Sequence, residues 1–262
     1  MTTTDQFLFA RQAYPEIPTE LHQNKAIPLA DEKGLSKKSF VTSNTPLSTG
    51  SLVLGWGENG LPVTFDLYDP APGPLLVAGD GGSGKTKLLK TLAQASNLQI
   101  AGDIQFGVIT PFPEEWTEQE ASPNSIGIWP AYHPAAMEFV SRLISWADSL
   151  QGTHQLVLLL VDGLDLLTAF GFKIQKEFQW LLKNGPERHV WPVVTINPGR
   201  LAHLDTWLDY FPTRILGQIK RSQTCHLLID DPNINLAGFE AGKQFGFSRP
   251  DGWSKFRLPV IE

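Results

Sequence analysis

The chain has 262 residues, 42% of them hydrophobic and 18% charged, enough for one large domain with appendages. A net charge of −6 and a pI near 5.5 exclude a global basic footprint for nucleic acid, although a basic patch lining a pore stays open. The lone Cys225 excludes an intramolecular disulfide framework, and six scattered histidines supply no zinc spacing.

Residues 1–48 are polar and punctuated by proline. They read as an arm that is mobile or wraps a neighbour, or else as a partly disordered tail, ahead of a folded domain at 49–262. No signal peptide is evident at the N-terminus, and no apolar run approaches the ~20 residues that span a bilayer, so a cytoplasmic protein is expected. "SLVLGWGENGLPVTFDL" (51–67) reads as two strands around a turn at Asn59-Gly60. After "DPAPGP" come a short buried strand, "LLVAG", and a helix, "KTKLLKTLAQAS". Strands are predicted at 104–110, 125–130, 156–162, 191–197 and 213–219. Helices are predicted at 133–150, with Met137, Val140, Ile144 and Ala147 on one face, around 172–183, and near 200–209. Residues 244–258 read as a second hairpin around Pro250-Asp251-Gly252. Alternating strands and helices of this length predict an α/β fold, a mainly parallel sheet with helices on both faces and flanking β-hairpins.

"GDGGSGKT", comprising Gly79, Asp80, Gly81, Gly82, Ser83, Gly84, Lys85 and Thr86, fits G-x-x-x-x-G-K-[ST] in full between a buried strand and a helix. The glycines let backbone N–H groups point into one concavity, and the helix start, with Lys87 in its first turn, adds a positive dipole end. Lys85 is placed to bridge the β- and γ-phosphates of ATP, and Thr86 to offer its hydroxyl to Mg²⁺. The pattern arises by chance on the order of once per hundred chains of this length. "LVLLLVDGLDLL" (156–167) is an apolar strand ending in Asp162. That residue is either a cap for the next helix or a second tether for the metal, presented at the tip of the strand adjoining the phosphate loop.

With these residues in place, the chain from about 50 to 258 resembles the FtsK/SpoIIIE branch of the FtsK/HerA-like motor ATPases. "PLLVAGDGGSGKT", "LLLVDGLDLL", "HVWPVVTINP" and "YFPTRILGQIKRSQTCHLL" occur in that family's order, with "FPTRI" the more specific marker. The resemblance implies a RecA-like P-loop NTPase core that uses ATP and Mg²⁺. It also implies assembly as a homo-oligomeric ring or within a larger complex, with double-stranded DNA as a possible cargo. The extra domain that usually precedes this core and the winged-helix module that follows it are not recognisable here.

Two departures bear on chemistry. The family's glutamate after the strand aspartate is Gly163, and its phosphate-sensing glutamine corresponds to Ile196. Losing a water-orienting base typically costs ~10²–10⁴ in rate while leaving binding largely intact. Two functions therefore stand: a slowly hydrolysing DNA-associated ring or clamp, and a degenerate ATPase serving as a nucleotide-gated assembly subunit. Asp165 is either a substitute base or a helix N-terminal acid favoured by the dipole. Arg214, or Arg200, is either a charge supplied in trans to a neighbour's nucleotide or a structural ion-pair partner. "KRSQTCH" (220–226) is a solvated helix start or a DNA contact. Trp116, Trp129, Trp180, Trp191 and Trp253 are core residues or interface anchors. Restoring glutamate at position 163 is expected to raise turnover if the remainder of the site is intact.

Overall fold

The computed structural model describes residues 50–97, 103–149, 155–168, 170–220, 227–229, 231, 233–249 and 252–259, and they belong to one compact unit. In chain order the strands are β1 (Ser51–Gly57), β2 (Pro62–Asp66), β3 (Leu75–Ala78), β4 (Ile104–Thr110) and β5 (Ser125–Pro130). They continue with β6 (Leu156–Val161), β7 (Val190–Ile196), β8 (Thr213–Leu216), β9 (Gln244–Arg249) and β10 (Gly252–Arg257). The helices are α1 (Lys85–Ser96), α2 (Thr117–Glu120), α3 (Pro134–Ser149), α4 (Leu164–Thr168), α5 (Phe172–Asn184) and α6 (Asp205–Leu208). The expected arm at 1–48, and residues 221–226 of the basic run, lie outside the described residues.

All ten strands join one sheet in the order β2-β1-β10-β9-β8-β3-β7-β6-β4-β5. From β8 to β5 every pairing is parallel; from β8 through β9, β10, β1 and β2 every pairing is antiparallel. The two predicted hairpins are thus not appendages but the antiparallel half of the same sheet. An isolated hairpin is marginal in water; here β9 gains β8 as a partner, and β10 gains β1. Between β1 and β2 the Gly57 amide donates to Leu61 O (2.8 Å) and Gly60 N–H to Gly57 O (2.9 Å), with Gly60 at φ 75°. This is a three-residue loop closed by a glycine bulge, a common alternative to the two-residue turn.

Strands β3, β4, β6 and β7 are buried along their full length, which explains why they read as unbroken apolar runs. On one face lie α1 and a core containing Leu88, Leu92, Phe106, Trp116 and Trp191; on the other lie α3 and α5, with Phe139, Phe178 and Trp207. The buried face of α3 is Ala136, Phe139, Val140, Leu143 and Ala147, with Met137 and Ile144 only partly covered. The face is rotated from the predicted one because Phe139 stacks on Trp129, with ring centroids 3.7 Å apart and 18° between planes. Its ring also occupies the space above Gly107 of β4, where a Cβ would clash. Trp116 and Trp191 are fully buried, so both belong to the core rather than to an interface. Trp191 Nε1 donates to Leu67 O at 2.8 Å, and Phe65 meets the Trp191 ring edge-on at 4.9 Å. No helix among the described residues is long and apolar enough to cross a membrane.

Phe139→Ala is expected to destabilise the domain by about 3–5 kcal/mol, the cost of a large aromatic cavity, measured by urea unfolding. A loss within about 0.5 kcal/mol, as for a surface substitution, would contradict this account of α3 packing.

Candidate functional site

The phosphate loop leaves the buried end of β3 near the middle of the sheet and runs into α1. Its shape is enforced from both sides. The Asp80 amide donates to Gln218 O (2.9 Å), Lys220 N donates to Asp80 Oδ2 (2.8 Å), and Gly242 N donates to Ser83 O (2.9 Å). Gly84 caps α1 at φ 94°, and a Cβ there would lie 2.5 Å from Gly242 Cα. Both the left-handed backbone and the close approach require glycine. Ser83 is buried beneath the loop, its amide donating to Asp80 O at 3.1 Å. Asp80 and Ser83 therefore hold the loop's form, while Gly81 and Gly82 border open space. Lys87 is exposed on the first turn of α1.

Lys85 folds across the loop, its Nζ donating to Gly79 O (2.7 Å) and Asp80 O (3.0 Å). Burial pushes the ammonium below its ordinary value of 10.5, and the carboxylates of Asp162 and Asp80 oppose the shift. The cation rests on carbonyls that an incoming phosphate can replace.

Asp162 follows β6 directly. Strand β7 lies between β6 and β3, so the acid is not on the strand next to the phosphate loop, as the sequence suggested. Thr195 of β7 spans the intervening strand. Val161 is level with Val194, which sets Asp162 beside Thr195. The Thr195 hydroxyl donates to Asp162 Oδ1 at 2.8 Å, and the Thr86 hydroxyl donates to Oδ2 at 2.8 Å. The two expected metal tethers, Thr86 and Asp162, are therefore in contact. A hydroxyl and a carboxylate suit Mg²⁺, a hard cation that takes oxygen ligands. Among the described residues no group of three or more His, Cys, Asp or Glu converges on a point. Thr195 was not singled out in the sequence; its only signal was a hydroxyl in an otherwise apolar strand.

The positions tied to hydrolysis are arranged differently. Gly163 sits at φ 125°, and a Cβ there would approach Leu166 Cδ1 at 2.9 Å. The backbone has taken a conformation that a glutamate adopts only under strain. Ile196 is 1% exposed and packs into the core on the α3 and α5 face, leaving Asn197 as the polar residue at the tip of β7. Asp165 of α4 is ion-paired with Arg200. Arg214 donates to Phe211 O (3.2 Å), Leu227 O (3.3 Å) and Leu228 O (3.0 Å), so its guanidinium is engaged by carbonyls of its own chain. It lies level with Leu76, two residues before the tip of β3.

No family model and no curated protein matches the sequence. Solved structures match it in fold. The cytoplasmic domain of EssC is similar at TM-score 0.70 and 18% identity, over 92% of this chain and 50% of that one. The cytoplasmic domain of the Thermomonospora curvata type VII secretion ATPase EccC gives 0.63 and 15%, over 82% and 26%. The pCW3 conjugation coupling protein TcpA, in its monomer form with ATPγS, gives 0.58 and 16%, over 81% and 66%. The chain thus spans from about a quarter to two thirds of the length of these proteins. At such identities the likeness shows the fold alone, an α/β RecA-like P-loop NTPase fold.

To pair with a triphosphate, Lys85 would have to be in its ammonium form. Its pKa is lowered in the free protein, so the neutral fraction grows as pH rises through that lowered value, and binding must then take up a proton. ATP affinity is expected to weaken by up to about tenfold per pH unit above the lowered value, with the onset below 10.5. Calorimetry in buffers of different ionisation enthalpy reads the proton uptake; affinity constant up to the ordinary lysine value would contradict it. Gly163→Glu is expected to lose about 1–3 kcal/mol of stability from backbone strain without gaining turnover. This reverses the expectation from sequence, and a faster, undestabilised variant would restore it.

Proposed function

We propose that this domain binds Mg²⁺·ATP at Gly79–Thr86 and Asp162, splits it slowly, and uses occupancy to hold or release an assembly. The FtsK/SpoIIIE assignment is part of this reading and rests on the ordered motifs, with the fold likeness in support. The single observation that carries it is the Asp162 carboxylate joined to both Thr86 and Thr195, beside a loop whose open face is backbone and a lysine. These groups suffice to bind nucleotide.

Slow hydrolysis follows from three positions. Gly163 offers no carboxylate, Ile196 is turned into the core, and Asp165 is ion-paired with Arg200. Phosphoryl transfer depends on positioned charge and an oriented water, so these changes lower turnover while leaving binding intact. In this reading the chain is a homo-oligomer or one subunit of a larger machine. A ring that moves double-stranded DNA is the competing reading, favoured by the likeness to a conjugation coupling protein. In such a ring the exposed Arg200 is better placed than Arg214 to reach a neighbour's nucleotide.

The test is ATPase activity titrated against protein concentration, with and without duplex DNA. Saturable ATP binding is expected, with phosphate release slow at every protein concentration and unchanged by DNA. Lys85→Ala is expected to abolish the binding. DNA-stimulated turnover that disappears in Lys85→Ala would replace the gating reading with the motor; unchanged ATP affinity in Lys85→Ala would remove the site itself.

A further inference from the structure

A pocket of about 370 Å³ opens beside the first turn of α1. One wall is Thr86, Lys87, Lys90 and Gln94 of α1; the other is Glu115, Glu118 and Gln119 of the segment after β4. Its volume falls within the range of small-molecule sites, roughly 300–1,000 Å³. At 1.5 Å per residue, the α1 wall from Thr86 to Gln94 runs about 12 Å, comparable to a nucleoside monophosphate. The pocket begins at Thr86, where the phosphate loop ends, so a ligand held by that loop can continue into it.

The lining tells what would enter. Lys87 and Lys90 are matched by Glu115 and Glu118, and Lys90 Nζ already lies 3.9 Å from a Glu115 carboxylate oxygen and 5.6 Å from the centre of the buried Trp116 ring. A wall of balanced charge suits a neutral polar group, not a further anion. Gln119 is 5% exposed, and its Oε1 is buried with no partner among the described residues. Leaving a buried carbonyl unsatisfied costs about 1–3 kcal/mol, and a native structure has few such groups. The last torsion of a glutamine is soft and roughly two-fold, so a flip of the terminal amide exchanges the positions of this acceptor and the amide nitrogen at the pocket wall. What it lacks is a donor.

We infer that this pocket receives the nucleoside half of the nucleotide and that Gln119 selects a base bearing an exocyclic amine, adenine in preference to a 6-oxopurine. The amine donates to Gln119 Oε1, and the Glu118 carboxylate accepts from the ribose hydroxyls. A 6-oxo group would set oxygen against oxygen at the same point. The inference rests on phosphate binding at Gly79–Thr86 and adds the feature that identifies the base.

Affinities of the full chain for ATP, inosine triphosphate and inorganic tripolyphosphate test it. ATP and inosine triphosphate differ chiefly at position 6, and tripolyphosphate carries no nucleoside. ATP is expected to bind about tenfold more tightly than inosine triphosphate, within the range for leaving one buried polar group unpaired, and more tightly than tripolyphosphate. Gln119→Ala is expected to bring the ATP to inosine triphosphate ratio close to one while leaving tripolyphosphate affinity unchanged; Gln119→Glu, which keeps an acceptor, retains a preference for ATP. Equal affinity of the unaltered chain for ATP and inosine triphosphate would overturn the inference without recourse to any variant. So would a ratio untouched by Gln119→Ala. If Lys85→Ala leaves tripolyphosphate binding intact, the phosphate-loop reading has failed instead.

Discussion

The bond pattern of one carboxylate organises the molecule. Asp162 receives Thr86 on one oxygen and Thr195 on the other, tying the helix after the phosphate loop to two strands of the sheet. Hydrogen bonds to an ionised acceptor are stronger than neutral ones and hold geometry better. The parallel register makes the arrangement possible: β6 and β7 are aligned so that the residue after Val161 meets the residue after Val194. Shifting either strand by one residue would turn the carboxylate or the hydroxyl to the opposite face. The apolar burial of these strands on both faces therefore also specifies the polar contact at their tips.

The second half of the sheet contributes to the same end. The closing antiparallel strands bring Gly242 against Gly84 and its amide to Ser83, while residues just past β8 hold both ends of Asp80. The loop is thus shaped before ligand arrives. A preshaped loop loses less conformational freedom on binding than one that must be ordered. Lys85 is stored on the loop's own carbonyls, where burial weakens its hold on a proton and an incoming phosphate restores it.

The features on which we base slow hydrolysis come from three separate elements. The turn after β6 has adopted a glycine backbone, the tip of β7 has joined the core, and α4 has closed its acid onto Arg200. The tip of β7 meets the phosphate loop through its backbone, where Gly79 N–H donates to Ile196 O at 3.3 Å. A domain that kept the grip and lost the water-orienting groups, as we propose, would suit reporting nucleotide occupancy, and the pocket we infer beside α1 would supply the contacts by which it discriminates among nucleotides.

Periodicity and turn residues placed every strand and the longer helices within a few residues, while the short α2 and α4 had no counterpart in that reading. The phosphate loop was readable too, because its glycines, lysine and threonine are contiguous and backbone geometry dictates them. The same local logic identified Asp162 as an acid at a strand end. The sequence left open which strand separates Asp162 from the loop, that Thr195 fills the interval, and which face of α3 is buried. Nor did it reveal that Gln119 lies beside α1, more than twenty residues away along the chain. Strand order and side-chain registry depend on contacts between distant segments, and no short window of sequence contains them. The backbone angle at Gly163 is of the same kind: glycine permits it, but only the packing around Leu166 and the end of β6 selects it.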